Sequence, residues 1–419
     1  MTRLIRTMCF LLFTTMSLSA CSIANSLRMM NANNGIEPIW NQDTTGMPYT
    51  ALQAFYIGEK PYIKVKANGQ QELLFLIDTG ASFTMLFDTK DSAKLTFERG
   101  FSLEVAGWGE GKNTPAYQTE LRSLSFGDIE FKDVKVAYIP ISTSQYYMTP
   151  DEAIFDGVLG HDLLQHFVWT FDKREGLISA SELAFSANEN DVVLPFDVSL
   201  SKLSIPVSVT FNDKDTINRE VLIDTGSRHY MKLNSAFPKN NDIELPKASI
   251  QAADFGLSGK AEHIRVTLPK LELGSLVLHN VKANIIDSND EDDWWIIGSA
   301  LMNQFVTIFD YPNKQFVIRQ YPHMEFITKF NLAGIDLRKL IDGNFLVRYV
   351  YPGLPGELAG LKAGQRIMSI NGIQSNELSE QDWLEMNAIP SNFVFCFEDT
   401  SCQNLSSKHI SGYSDNEVN

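Results

Sequence analysis

Two stretches of this chain, 146 residues apart, carry the same apolar strand ending in the same tripeptide. Leu73 to Ile77 is a buried-type apolar run that ends in Asp78-Thr79-Gly80-Ala81-Ser82, and Val221-Leu222-Ile223 leads into Asp224-Thr225-Gly226-Ser227. The likeness extends upstream: Tyr62 to Lys66 alternates like a strand before an Asn68-Gly69 hairpin turn, and Ile205 to Phe211 alternates before Asn212-Asp213-Lys214-Asp215. It extends downstream as well. Gly127 and Gly274 lie 49 and 50 residues beyond their Asp residues, in Leu-Ser-Phe-Gly-Asp and Leu-Glu-Leu-Gly-Ser. Val158-Leu159-Gly160 then opens a segment through Leu163 and Phe167 to Phe171-Asp172, and Ile296-Ile297-Gly298 opens one through Leu301 and Phe305 to Phe309-Asp310, with 12 residues from Gly to Asp in both. Each copy reads as strands, a glycine turn, a short helix and a further strand, so the chain contains a duplicated, mostly β unit.

One Asp-Thr-Gly is weak evidence, since average residue usage yields such a match by chance in on the order of one chain in ten of this length. Two, each closing an apolar strand and each followed by the same downstream signature, are a design. Asp on a turn where Gly permits close backbone approach presents a carboxylate at a loop tip. If the copies meet, two carboxylates share a site, cannot both ionise at close range, and retain one proton between them. One member is then a general base toward water and the other a donor to a carbonyl oxygen, with no covalent intermediate and no metal or other cofactor required.

On these residues both halves resemble the retropepsin and pepsin superfamily of aspartic proteases, in its bacterial retropepsin-like branch, over roughly residues 50 to 320. The resemblance implies a mostly β, bilobal fold in which Asp78 and Asp224 are catalytic and Thr79, Gly80, Thr225 and Gly226 support the two loops, the threonine hydroxyls bracing one loop against the other. It implies that the segments ending at Gly160 and Gly298 pack behind those loops. It also implies a hairpin flap over bound peptide, for which Gly107-Trp108-Gly109-Glu110-Gly111 and Phe255-Gly256-Leu257-Ser258-Gly259 stand in the right places, with Gly107, Gly109, Gly256 and Gly259 suited to a mobile cover. The second motif departs from the commonest pattern in continuing Ser227-Arg228-His229. Because the copies are tethered in one chain, pairing within the chain is favoured over pairing between chains.

Beyond Tyr321-Pro322 the pattern changes. Phe345 to Val350 reads as a strand, followed by Pro352-Gly353-Leu354-Pro355-Gly356-Glu357-Leu358-Ala359-Gly360-Leu361-Lys362-Ala363-Gly364 and then Ile367-Met368-Ser369-Ile370-Asn371-Gly372. This resembles a small α+β PDZ domain of the protease-associated kind, with Gln365 where an Asp is usual. Such a domain is expected to hold an extended peptide and capture a protein C-terminus on backbone amides, with Leu332, Gly334 and Ile335 in the carboxylate loop.

At the N-terminus Arg3 and Arg6 precede an apolar stretch from Met8 to Leu18, the build of an export signal, and Leu18-Ser19-Ala20-Cys21 resembles a lipobox with Cys21 as the lipidated residue. Ser22 after it resembles the pattern that sorts lipoproteins to the outer membrane, facing the periplasm. Cys396 and Cys402 then remain as an exported pair able to close a small disulfide loop. The expected organisation is a signal at 1–21, a flexible tether at 22–48, protease lobes at 49–185 and 190–322, and a PDZ domain at 325–410. The formal charge of −16, or −18 once Arg3 and Arg6 are removed, excludes the basic footprint of a nucleic-acid binder. His161 and His166, five apart and without a third ligand, are off the spacing a metal pair prefers, and the acidic run Asp287 to Asp293, lacking the glycine and terminal glutamate of a calcium loop, reads as a solvated loop. The reading is an envelope endopeptidase acting on peptide or protein substrates. Its rivals are a non-catalytic peptide-binding scaffold and an envelope adaptor working through the PDZ domain.

Overall fold

The computed structural model describes residues 24–41, 48–140, 146–152 and 155–414. With 47% of the chain in strands against 10% in helices, the fold is mostly β. The Asn68-Gly69 turn works as its composition demands: both residues adopt positive φ, 53° and 74°, which lets Lys60–Ala67 and Gln71–Ile77 pair as a tight antiparallel hairpin. In the second half Lys202–Thr210 pairs with Thr216–Asp224 in the same way.

Each hairpin sits in its own large sheet, nine-stranded in the first half and eight-stranded in the second. In both sheets the strand that ends at the motif lies parallel to the apolar-apolar-Gly strand: Gly157–Leu159 runs beside Phe75 to Ile77, and Ile296–Gly298 beside Leu222 to Asp224. A third sheet joins the halves. Its central strands, Val168–Asp172 and Phe305–Asp310, come from equivalent positions of the two copies and pair antiparallel, Val168 opposite Asp310 and Phe171 opposite Thr307. The two lobes therefore share one hydrophobic core, which runs from Ile77 and Leu159 through Trp169 and Phe309 to Ile223 and Ile297. Short helices His161–Leu164 and Ser299–Met302 follow the two glycines, as the repeat predicts.

The stretch expected as a free tether is, in its described part, built into the first lobe. Residues 24–30 form a helix whose Met29 is fully buried, and Ile39–Trp40 adds a strand to Ile129–Ile139. Asn33 donates to the Lys135 carbonyl at 2.8 Å and to the Asp162 carboxylate at 2.6 Å. Asparagine and methionine, which gave this stretch its featureless look, are here a buried hydrogen-bonding hub and a core plug. Cys21 and the rest of the expected signal lie outside the described residues, and among the described residues no helix is long and apolar enough to cross a membrane.

The C-terminal unit has its own five-strand path, running from Ile335–Lys339 to Cys402–Ser406, and its own core around Trp383, Phe393 and Phe395. Cys396 and Cys402 face each other across its last hairpin and are disulfide-bonded. The unit does not hang free. Phe330, Leu332, Tyr351, Leu354 and Tyr413 form a second apolar cluster with Ile250 and Ala252 of the second lobe.

Candidate active site

The two Asp-Thr-Gly turns meet tip to tip between the lobes. Thr79 Oγ1 donates to the Ile223 carbonyl at 2.8 Å and accepts from the Thr225 amide at 3.0 Å; Thr225 Oγ1 donates to the Ile77 carbonyl at 2.7 Å and accepts from the Thr79 amide at 3.1 Å. Four bonds across the lobes, made by the hydroxyls of two threonines that are 1% and 3% exposed, fix the spacing of the loops. Removing water from around those groups makes each bond costly to lose.

The carboxylates are oriented by their own turns: Gly80 N–H donates to Asp78 Oδ1 at 2.8 Å and Gly226 N–H to Asp224 Oδ1 at 2.9 Å. Glycine is required for a further reason. A Cβ on Gly80 would lie 2.6 Å from the Asp224 carboxyl carbon, and one on Gly226 would lie 2.3 Å from that of Asp78. Each carboxylate thus sits over the other loop's glycine. Burial, then the neighbouring Asp224, pushes the Asp78 carboxyl up to about 7, against opposing pulls from Lys202 and Lys60. A pair in this state keeps a proton at neutral pH.

Asp78 and Asp224 open into a cavity of about 240 Å³. Its roof is the pair of glycine loops. Gly256 and Gly259 close a two-residue turn, and that tip is hydrogen-bonded to the first loop: Ser258 N–H donates to Trp108 O at 2.9 Å, and Gly111 N–H to Ser258 O at 2.8 Å. Gly109, at φ 128°, leaves room only because it has no Cβ, which would lie 2.5 Å from the Ser258 backbone. Of the four glycines expected in a flap, Gly107 and Gly256 line the cavity, and Gly109 and Gly259 lie against each other where the two loops meet.

Two sets of residues that the motifs do not announce complete the site. Asp254, next to Phe255 of the second flap, is 1% exposed and is a hub for His229 at 3.1 Å, Arg265 at 3.1 Å and the Asn284 amide at 2.8 Å. Burial alone would raise the Asp254 carboxyl, but His229, His263, Arg265 and Arg228 hold it well below the ordinary carboxylate range. Burial in turn pulls the His229 imidazole far down, against the opposing pull of Asp254. Arg228, the departure noted after the second motif, reaches out of this hub to Asp336 of the PDZ domain at 2.9 Å, and Arg265 donates to Tyr351 Oη at 2.9 Å.

The second set is a cleft wall. Arg338, Arg348 and Glu380 of the PDZ domain line the same cavity as Asp78 and Asp224, with Tyr146 from the first lobe between them. Arg338 pairs with Glu380 at 3.2 Å, and Arg348 lies 3.5 Å from Glu152 and 3.8 Å from the centre of the Phe255 ring. Burial would raise the Tyr146 phenol, but Arg338, Lys60 and Arg348 outweigh it and bring it down to about 8. The only hint in the sequence was an arginine inside an apolar strand, Phe345–Val350.

The expected carboxylate loop takes a different part. The amides of Leu332 and Ala333 donate to Asn387, at 3.1 and 2.7 Å, and those of Gly334 and Ile335 to Asn331 Oδ1, at 2.8 and 3.3 Å. With Leu332 and Ile335 fully buried, this loop holds no free amides for a peptide terminus; it anchors the domain to the second lobe. Sequence position alone could not reveal the side chains of Asn331 and Asn387 that satisfy it.

A cleft between two related β lobes, with one carboxylate on a glycine turn from each, defines the aspartic-protease class of fold. Comparison with protein families agrees: the aspartyl protease model matches residues 63–163 and again residues 207–301, and a PDZ domain model matches residues 346–393. The two halves are retropepsin-like aspartyl protease repeats, and a C-terminal PDZ domain follows them. Comparison with curated protein sequences gives no match.

Proposed function

We propose that the protein is an aspartic endopeptidase that hydrolyses peptide bonds of envelope proteins with a water activated by Asp78 and Asp224. The observation that carries this reading is the reciprocal Thr79–Thr225 bonding, which holds two glycine-backed carboxylates in one roofed cavity. In the free enzyme the pair shares one proton. The ionised member takes a proton from water as its oxygen attacks the scissile carbonyl carbon. The protonated member donates to the carbonyl oxygen, and the tetrahedral species collapses with a proton delivered to the leaving nitrogen. The roof excludes bulk water and must open for a chain to enter, since Trp108 and Ser258 are hydrogen-bonded across it.

The PDZ domain, on this reading, shapes one wall of the cleft and is tied to the second catalytic loop through Arg228 and Asp336. Placement at the outer membrane, facing the periplasm and anchored by lipid on Cys21, is supported by the lipobox-like Leu18 to Cys21. The test is cleavage of a diverse peptide library across acidic to neutral pH by the parent chain, Asp78→Asn and Asp224→Asn. Turnover abolished by either substitution is expected. Absence of turnover at every pH, with peptide binding retained in all three, would replace the enzyme with a peptide-binding scaffold.

A further inference from the structure

Resting on the peptidase reading of the cleft, we propose that the site takes a peptide with an apolar side chain on one side of the cleaved bond and an Asp or Glu side chain on the other, and that Lys232 selects the acid. The two lobes are equivalent, so their substrate-facing positions can be compared through the sheets. Val158 and Ile296 each stand two residues before the glycine that follows the apolar strand. Val158 pairs with Met85, and Ile296 pairs with Lys232. Both of these partners line the cavity that holds Asp78 and Asp224. The same place in the repeat is thus thioether in one lobe and ammonium in the other.

Met85 itself is packed in an apolar cluster with Leu76, Phe87, Phe155 and Val158, all of which line the cavity. Lys232 stands in different surroundings. Lys232 is 5% exposed and its ammonium lies 3.9 Å from the centre of the Trp108 ring, which comes from the opposite lobe's flap. Among the described residues no carboxylate comes within ion-pair distance of it. Asp254, the acid that acts on it most strongly, is already engaged by His229, Arg265 and Asn284. Lys60, half-buried in the same cavity, also has no ion-pair partner among the described residues, and it acts on both Asp78 and Lys232. Burial brings the Lys232 ammonium down to about 8, with Asp254 and Asp224 opposing and Lys60 and Arg228 adding, so the side chain is still charged at neutral pH. A buried cation without a counter-ion costs free energy that an incoming carboxylate recovers, whereas a neutral or basic side chain does not. An alternative in which Lys232 serves only Asp224 predicts no such selection.

The experiment separates selection from turnover. A randomised peptide library is passed over immobilised full-length Asp78→Asn protein at pH 6.5, and retained peptides are sequenced. Asp and Glu are expected to be enriched about tenfold over Asn and Gln, the ratio a single well-placed charge contact of about 1.4 kcal/mol gives, at one position beside an apolar one. Lys232→Gln in the same background removes the enrichment, and Lys232→Met, which copies the first lobe, replaces it with apolar residues. Two variants guard against a folding defect in either. Retained peptides without acid enrichment, enrichment that survives both substitutions, or no retention at all overturns the proposal. Hydrolysis of the same library by the unsubstituted chain is scored separately. Absent hydrolysis with the acid selection intact defeats the peptidase reading alone, and hydrolysis without acid preference defeats the selectivity alone.

Discussion

Replacing Asp78 with Asn is expected to stabilise the protein at pH 8 and to leave its stability near that of the parent at pH 4. In the unfolded chain this carboxyl ionises near 3.8, and in the folded chain burial and Asp224 push it up to about 7. Between those values the folded state binds more protons than the unfolded state, so stability falls as pH rises through the window, and the loss is complete above about 7. At about 1.4 kcal/mol per pH unit the ceiling is about 4 kcal/mol. Asp78 is only half-buried and its cavity admits water, which reduces the expected effect to about 1–3 kcal/mol. Asparagine keeps the size of the side chain and retains an oxygen to accept the Gly80 amide, now bonded at 2.8 Å, so the substitution removes a titration with little change of shape. The assay is urea unfolding followed by the fluorescence of the buried Trp169 and Trp295, at pH 4, 6 and 8, for both proteins. The parent should lose stability relative to Asp78→Asn as pH rises. Parallel pH profiles for the two proteins, or a variant less stable at pH 8 than the parent, would refute the argument that the two carboxylates are held in conflict.

Three further outcomes follow from the same geometry. Thr79→Val and Thr225→Val should each cost about 2–4 kcal/mol, because each leaves a buried amide and a buried carbonyl without a partner; the double variant should cost clearly less than the sum in a double-mutant cycle by urea unfolding, since the two pairs of bonds hold the same two loops together and a loop freed by one substitution already weakens the bonds of the other. Gly226→Ala should lower turnover by about a hundredfold or more while secondary structure by circular dichroism is kept, because the new methyl displaces the Asp78 carboxyl from its position. Tyr351→Phe should destabilise the protein by about 1–3 kcal/mol, through loss of the Arg265 contact, and should loosen the PDZ domain, seen as faster proteolytic release of a fragment ending near residue 325; an unchanged proteolysis rate would mean that the apolar contacts of Ile250 and Leu332 suffice on their own.

The protease lobes were legible because their information is periodic and local. An apolar strand followed by Asp-Thr-Gly, and an apolar-apolar-Gly strand 12 residues before an Asp, are patterns of side-chain burial and turn geometry that survive being read one residue at a time. What stayed hidden is what depends on contacts between distant segments. Asn33 reads as a polar residue in a polar stretch, yet it is 4% exposed because Lys135 and Asp162, more than 100 residues away, satisfy it. Leu332 to Ile335 has the spelling of a carboxylate loop, but Asn331 and Asn387 occupy its amides. Arg348 stands inside a strand pattern and Arg338 in no motif at all; only the docking of the PDZ domain turns them into a wall beside the two carboxylates. Burial of a charge is a tertiary fact, and no local pattern encodes it.

Carrying both carboxylates on one chain also explains why the two halves need not match. A site assembled from two identical chains has the same side chain on both sides of its axis, so any gain in one pocket is forced on the other. Here the paired positions have separated. Ala81-Ser82-Phe83 after the first motif answers Ser227-Arg228-His229 after the second, and Met85 answers Lys232. The second lobe's substitutions come as a set: Arg228 engages Asp336, His229 engages Asp254, and Lys232 lies over Trp108 of the opposite flap. The PDZ domain meets that lobe through Ile250 and Ala252 and reaches the hub by way of Tyr351 and Asp336, while Arg348 and Gln381 contact Glu152 and Glu59 of the first lobe. Charge in the second lobe and that lobe's share of the docking are thus two aspects of one departure from symmetry. Substituting the second-lobe set toward the first, with Arg228→Ser, His229→Phe and Lys232→Met together, should both weaken PDZ docking and make the cleft apolar on both sides, whereas the reverse changes in the first lobe would bury charges that have no partners there.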